Sequence, residues 1–475
     1  MSGPSSHAAP RAGLGGRLIG PFVDLLGAAG GVGLAARLAD LIVTGRSDRA
    51  VTLVGLAAVV VGLALDPALG LLGWLTLAPF SRVFNLAMGS GLPDLGLHRV
   101  AALFLFLLLL AQVAIGRRRL ARLSGVEWAG LLFIVGMLLS TPASRLGIVG
   151  GVQNVFDTVA LPLLCFFFAR NLLAGERGLD RLAVTLALLA ALLGLVAARE
   201  QLTGQRVLSP IPYHWAYGLY SVKVMSFFGA PAIMAFTLAV LAPVTFFAPA
   251  RARTPARQLF FAAALAALLA GLVLTYVRAG WLAAAVGLAV LIALASQARR
   301  YALLLMPAGL LMGLLLASGA FDTRALTERL QTEGSITYRA EALQVGLEIA
   351  RRAPLLGLGL DSYSDAAVAA GWRPVGGLGL PAAAPHNLFI YVLTSAGLVG
   401  LAPLLLLFGL IGWYALRAWL AARGEARGWP AVLLGTLFGY LLFANTFDAL
   451  GAQLANMLFF TLSGAILGTA WEAQQ

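Results

Sequence analysis

The stretch VAALFLFLLLLAQVAIGRRRLAR, residues 100–122, holds one polar side chain, Gln112, in its apolar run and then four arginines among its last six residues. A run of that length and composition crosses most of a bilayer's hydrocarbon core as a helix, and the arginine cluster marks the end expected to stay in the cytoplasm. Runs of the same kind, such as AGLLFIVGMLLS (129–140) and PAIMAFTLAVLAPVTFF (231–247), recur along the 475 residues. The chain is 60% hydrophobic and only 11% charged, against about 25% charged in a soluble domain. These values exclude a water-soluble globule and predict one polytopic, all-α membrane bundle.

The formal charge of +13 comes almost entirely from arginine, Lys223 being the only lysine. The arginines are scattered between apolar runs instead of clustering on one soluble face, which argues for membrane topology and against a nucleic-acid partner. Cys165, the single cysteine, sits inside the apolar stretch LPLLCFFFA, so no intrachain disulfide and no cysteine metal site is available. His7, His98 and His214 have no ligand spacing among themselves, and there is no H-E-x-x-H or paired-aspartate motif. No metal and no cofactor is expected. GGLGLP and GLGL lie outside any strand-to-helix nucleotide unit, and no G-x-S-x-G elbow occurs. The first sixteen residues read as a disordered tail, since no short apolar core with a cleavage site follows.

Arginine-rich connections fall at GRRRLAR (116–122), Arg177 with Arg181, RARTPAR (251–257), Arg299 with Arg300, and Arg417, Arg423 and Arg427. Two apolar runs separate consecutive members of this set, so the connections near 142–153, 199–224, 276–280 and 319–385 face the other side. The predicted spans are 99–115, 126–142, 154–173, 180–198, 225–248, 257–276, 280–296, 300–318, 387–412, 430–448 and 452–470. The region 51–80 is split by Asp66 and Pro67 and is assigned one crossing, which gives about twelve transmembrane helices with both termini cytoplasmic. The organisation is therefore a tail and possible membrane-associated helix at 1–50, helices over 51–318, a large outer loop at 319–385, and C-terminal helices over 386–475. Within the loop, SITYRAEALQVGLEIARRAP (335–354) predicts a helix: Ser335 or Thr337 can cap it, Tyr338, Ala342, Val345 and Ile349 recur at helical spacing, and Pro354 ends it. The glycines of LLGLGLDSYS, which follows, suit a tight turn.

Three residues on the outer side have the chemistry of a site. Arg278, in LTYVRAGWLAA, lies in a short connection between apolar helices and is held near the bilayer surface. Arg339 stands in the first turn of the loop helix, and His386 opens the apolar run in APHNLFIYVLTSAGLVG (384–400). Each has a plain alternative: a snorkelling interfacial arginine, a solvated helix charge, and a turn or cap residue acting with Asn387. Together they point to a phosphorylated substrate, because guanidinium groups match phosphate oxygens and imidazole can accept a proton from a hydroxyl near neutral pH.

Three segments, TYVRAGWLAA (275–284), SITYRAEALQVGLEIARRAPLLGLGLDSY (335–363) and PHNLFIYVLTSAGLVGLAPLL (385–405), resemble in order and spacing the bacterial O-antigen ligase and polysaccharide polymerase superfamily. The resemblance is strongest over 225–410. VKVMSFFGAPAIMAF (222–236) also looks like the family's approach to a central span, with Lys223 where an arginine is common, and Ser395 stands where many members carry an acid. The resemblance implies a glycosyltransferase C-like bundle in the bacterial inner membrane with its active site on the periplasmic or exterior side. It implies an inverting, metal-independent transfer of a glycan from a polyprenyl-pyrophosphate donor to a lipid-A core or a growing polysaccharide. Carried over residue by residue, Arg278 and Arg339 bind the donor pyrophosphate and His386 orients or deprotonates the acceptor hydroxyl. Lys223 and Asn387 are further substrate-binding candidates. The expected partners are this donor, the acceptor and membrane lipids. Ligase and polymerase differ in an acceptor groove that the residues do not identify. The competing class is a polytopic small-solute transporter, which would place ionisable groups near the midplane of matching half-repeats.

Overall fold

A computed structural model of the chain describes residues 66–81, 84–86, 94–204, 224–225, 227–304, 334–372 and 385–473, with isolated positions between 57 and 64. Apart from a two-residue antiparallel pairing of Asn85–Leu86 with Leu95–Gly96, the regular elements are helical. They are α1 (Pro67–Leu77), α2 (Leu97–Ala114), α3 (Gly125–Leu139), α4 (Gly147–Leu172), α5 (Glu176–Thr203), α6 (Pro231–Phe247), α7 (Pro255–Leu274), α8 (Arg278–Leu294), α9 (Ser296–Tyr301), α10 (Gly334–Arg352), α11 (Tyr363–Ala369), α12 (Leu388–Ala421), α13 (Gly428–Ala444) and α14 (Gln453–Glu472). Among the described residues, nine helices are long and apolar enough to cross a membrane, and two shorter apolar helices accompany them. The chain is a multi-pass membrane protein. The predicted crossing at 300–318 lies outside the described residues beyond Leu304, as do most of 1–65 and positions 319–333 and 373–384 of the predicted outer loop.

A helix apolar on every side belongs either in lipid or in the middle of a bundle. The α6 sequence is buried almost throughout, with Phe236, Phe246 and Phe247 fully enclosed and Phe236 stacked on Phe443 at 4.5 Å. It is the central post. By contrast, α2 shows Leu103, Leu107 and Leu110 to the surroundings and forms part of the lipid-facing belt. Without a hydrophobic drive between helices in lipid, close backbone approach at small residues takes over. Gly287 of α8 meets Gly435 of α13, and Ala283 meets Gly439, while Gly464 of α14 lies on the Phe166 carbonyl of α4.

These contacts fix direction. Gly125 lies against Leu410 and Tyr414, and Gly136 against Val399 and Gly400, so α3 and α12 run antiparallel with Gly397 level with the end of α3. Glu176 pairs with Arg251, and Arg170 pairs with Glu127 beneath the Trp471 ring, at the bundle end that also holds residues 116–122 and 423–427. The connections after α7, α13 and α3 gather at the opposite end, together with α10 and α11.

The run 387–412, expected as one continuous helix, is broken. Gly397 has φ 61° and ψ −157°, which divides α12 into an arm, Leu388–Ala396, and a long second part. From 398 to 421 the second part alone measures about 36 Å at the α-helical rise, enough to cross a bilayer. The break therefore lies at the edge of the spanning region, and the arm projects past it.

An unbroken helix would join Leu398 N–H to Thr394 C=O and Val399 N–H to Ser395 C=O. Instead, Leu398 N donates to Pro354 O at 2.8 Å and Val399 N to Leu355 O at 3.1 Å, while Thr394 O and Ser395 O accept from Leu358 N and Gly359 N at 2.8 and 3.0 Å. The loop after α10 thus satisfies all four groups released by the break, as a water-poor environment requires. A Cβ on Gly397 would overlap the Leu355 carbonyl, and one on Gly357 the Ser395 carbonyl. Gly397→Ala is expected to lower stability by about 2 kcal/mol or more, because it adds both strain and overlap. Gly409→Ala in the same helix, where a Cβ would have nothing within 4 Å, should leave the unfolding temperature unchanged or raise it. Thermal unfolding followed by fluorescence-detected size exclusion checks both.

Candidate active site

The docked loop and the broken helix bring the loop helix to the start of α12. Gly346 of α10 lies against Ile390 of the arm, so α10 runs back along the arm and puts Arg339 beside His386. The Arg339 charge is near enough to act on the imidazole. Burial and, secondarily, that charge hold His386 below its ordinary pKa. A histidine kept neutral in this way carries an unprotonated ring nitrogen at neutral pH and is suited to accept a proton.

Asn387 is the N-cap of α12. Its Oδ1 accepts from Phe389 N and Ile390 N at 2.9 and 3.1 Å, and its Nδ2 donates to Asn445 O at 3.1 Å. The residue ties the start of α12 to the end of α13. Since α8 and α13 run antiparallel with Ala283 against Gly439, the first residue of α8 comes level with Ala444, the neighbour of Asn445. Arg278 is that residue, so it stands at the same end of the bundle as His386. A cation in a helix's first turn is opposed by the helix dipole, and an anion placed there relieves both. Lys223 lies outside the described residues.

Among the described residues three non-glycine positions have positive φ: Tyr276 at 52°, Asp361 at 62° and His386 at 50°. All three lie at this end of the bundle, two residues before Arg278, after the docked loop, and at the histidine itself. Left-handed backbone at non-glycine residues costs of order 1–3 kcal/mol each and is characteristic of functional sites.

Two acids missed in the sequence complete the corner. Asp448, in the turn between α13 and α14, accepts from Leu450 N at 3.3 Å. Burial first, and then the Asp361 charge, push its carboxyl up to about 7. The Tyr391 phenol lies in the field of both acids. Ser395, where the resemblance leads one to expect an acid, is buried with no hydrogen-bond partner for its hydroxyl among the described residues, and the acids whose charge reaches this corner are Asp361 and Asp448. The signals were present: Asp361 follows the paired glycines, and Asp448 ends the predicted span 430–448, where an acid is expensive. The helix in fact stops at Ala444. The turn carrying Asp448 is braced by Asn456, which donates to Ala449 O at 2.8 Å, and by Gln453, which donates to Asp157 O at 3.0 Å.

Two pH experiments follow. Because the Arg339 charge lowers the His386 pKa, Arg339→Gln should move the imidazole titration, followed by NMR of labelled histidine, to higher pH. For Asp448 the folded carboxyl binds its proton more tightly than the unfolded one, so between about pH 4 and 7 folding loses stability as pH rises. Asp448→Asn is therefore expected to raise the unfolding temperature at pH 8 relative to the parent and to change it little at pH 4.

The comparison with known families bears on these residues directly. Residues 262–405 match the O-antigen ligase family, a stretch that contains Arg278, Arg339, Asp361, His386, Asn387, Tyr391 and the Gly397 break. A comparison with curated proteins finds no match. The resemblance read from the three sequence segments is thereby borne out: residues 262–405 match an O-antigen ligase domain, which supports a membrane glycan-ligating or glycan-polymerising function.

Proposed function

We propose that the protein transfers a glycan from a polyprenyl-pyrophosphate donor to a hydroxyl of a lipid-A core or a growing polysaccharide, at the outer face of the bacterial inner membrane. The observation that carries this reading is the approach of Arg339 to a neutral His386, at the bundle end opposite the arginine-rich connections. The positive-inside rule makes that arginine-rich end cytoplasmic, and the site end, with the described residues 334–372, then faces outward.

The chemistry needs three things from the chain. His386 takes the proton of the acceptor hydroxyl as its oxygen forms a bond to the donor's anomeric carbon. The bond from that carbon to the pyrophosphate oxygen breaks, and the electron pair leaves with the polyprenyl pyrophosphate. Arg278 and Arg339 hold the negative charge that grows on the leaving group, and Lys223 adds a further positive charge. Attack from the face opposite the leaving group inverts the anomeric centre. Pyrophosphate is a good leaving group, so the step proceeds with no general acid, no metal and no cofactor. Asn387 acts by holding the histidine's segment in place.

The test is transfer by purified protein from a polyprenyl-pyrophosphate oligosaccharide to candidate acceptors in the presence of a chelator. His386→Ala, Arg278→Ala and Arg339→Ala should each lower kcat/KM by about 100-fold or more while the folded protein is retained, and Lys223→Ala should lower it less. The product distinguishes ligation from polymerisation. Undiminished transfer by the His386 variant would remove it as the base, and no transfer by folded parent protein to any acceptor would overturn the reading.

A further inference from the structure

Glu200 is a buried carboxylate that takes no part in the proposed chemistry. It stands in the last turn of α5, at the bundle end that holds the site, and is only 5% exposed. The position is unfavourable twice over, since the C-terminal end of a helix repels a negative charge and burial strips a carboxylate of water. A charge kept there is expected to hold a partner in place. Its Oε2 accepts a hydrogen bond from Met225 N at 3.1 Å.

Val224 and Met225 are both buried and lie ahead of α6. Val224 N donates to the carbonyl of Leu274, the last residue of α7, at 3.4 Å. The pair therefore bridges two helix ends, bonded to α5 through a side chain and to α7 through the backbone. The two helices run side by side and touch where Gly194 leaves room for the Ala267 carbonyl. Glu200 lies about 9 Å beyond Gly194 and Leu274 about 10 Å beyond Ala267 at the helical rise, so the two come level.

Past Leu274 comes the reversal that presents Arg278. Only residues 275–277 separate α7 from α8, and Tyr276 takes its positive φ there. Thr275 Oγ1 and Trp281 Nε1 both donate to Leu272 O, at 2.7 and 2.8 Å, and Gly280 fits against Ala235 and Leu272. So tight a reversal has no slack, and a shift at the end of α7 is passed on to Arg278. We propose that Glu200 is a positioning residue for the diphosphate site: its carboxylate pins Val224 and Met225 across the end of α7 and thereby fixes where Arg278 presents its guanidinium. The proposal rests on the reading of Arg278 as a ligand of the donor's pyrophosphate. The role requires the reach of the side chain more than its charge.

The test is calorimetric titration of inorganic pyrophosphate into full-length protein in phosphatidylethanolamine nanodiscs. Glu200→Asp keeps the charge and shortens the reach, whereas Glu200→Gln keeps the reach and an acceptor oxygen. The aspartate variant should raise Kd by about tenfold, the size of one hydrogen bond to a charged group, and the glutamine variant should stay within about twofold of the parent. In an Arg278→Ala background, where Arg339 remains to hold the anion, Glu200→Asp should change Kd by less than about twofold, because the residue it acts through is gone. An unchanged Kd in the aspartate variant, an equal loss in the glutamine variant, or the same tenfold loss without Arg278 would overturn the proposal. The expected pattern with no transfer by the parent to any acceptor would sink the transferase reading and leave the role of Glu200 standing. Transfer by a parent that binds no pyrophosphate would remove Arg278 as its ligand, and the proposal with it, while the transferase reading stood.

Discussion

Four backbone hydrogen bonds at the break in α12 hold the active end together. In water a helix interrupted at Gly397 would expose two carbonyls and two amides to solvent at small cost. At the edge of a bilayer each unsatisfied group costs several kcal/mol, so the break can exist only if another segment supplies the partners. The loop 354–359 does so in register: two amides of α12 donate to it, and two of its amides donate to α12. The arrangement also demands glycine at 357 and 397, where a side chain would collide with the opposing carbonyl. The break and the docked loop are thus a single structural unit.

From that unit the geometry of the site follows. Fixing Pro354 and Leu355 against α12 fixes the C-terminal end of α10, and the contact of Gly346 with Ile390 then sets its course along the arm. Arg339 is carried to His386 as a result, although 47 positions separate them in the chain. The other side is anchored by Asn387, whose two ends cap α12 and bind Asn445. One asparagine therefore connects the histidine to the helix pair that presents Arg278 and to the turn that presents Asp448.

Much of this was legible in the sequence, for a physical reason in each case. Apolar runs such as 231–247 report membrane helices because transfer to lipid is nearly a sum over residues, and the end of α10 before Pro354 reflects a local backbone rule. Arg278, Arg339 and His386 stood out because charge and imidazole are scarce in so apolar a chain. The break at Gly397 was not legible: SAGLVG suits a lipid-embedded helix as it stands, and what makes a break possible there is a loop some forty residues upstream. Asn387 was read among the substrate contacts as well as a cap, and its side chain is fully engaged in the cap and the Asn445 tie. Asp361 and Asp448 are not legible as a pair, because what links them, the field of Asp361 on the Asp448 carboxyl, exists only once two distant turns are brought together.

The electrostatics of the corner give the proposed reaction an internal order. With no donor bound, burial and the Arg339 charge keep His386 neutral but also make it a weak base. Those two facts conflict: a nitrogen that is readily free is reluctant to take a proton. A diphosphate seated on Arg339 and Arg278 reverses the field at the imidazole, because its negative charge more than offsets the arginine beside it. The affinity of His386 for a proton then rises when the acceptor hydroxyl has one to give. As pyrophosphate leaves, the arginine field returns and favours release of the proton. On this reading Arg339 stabilises the leaving group and also tunes the base, which makes the spacing between the arginine and the histidine the quantity that the broken helix and its docked loop set.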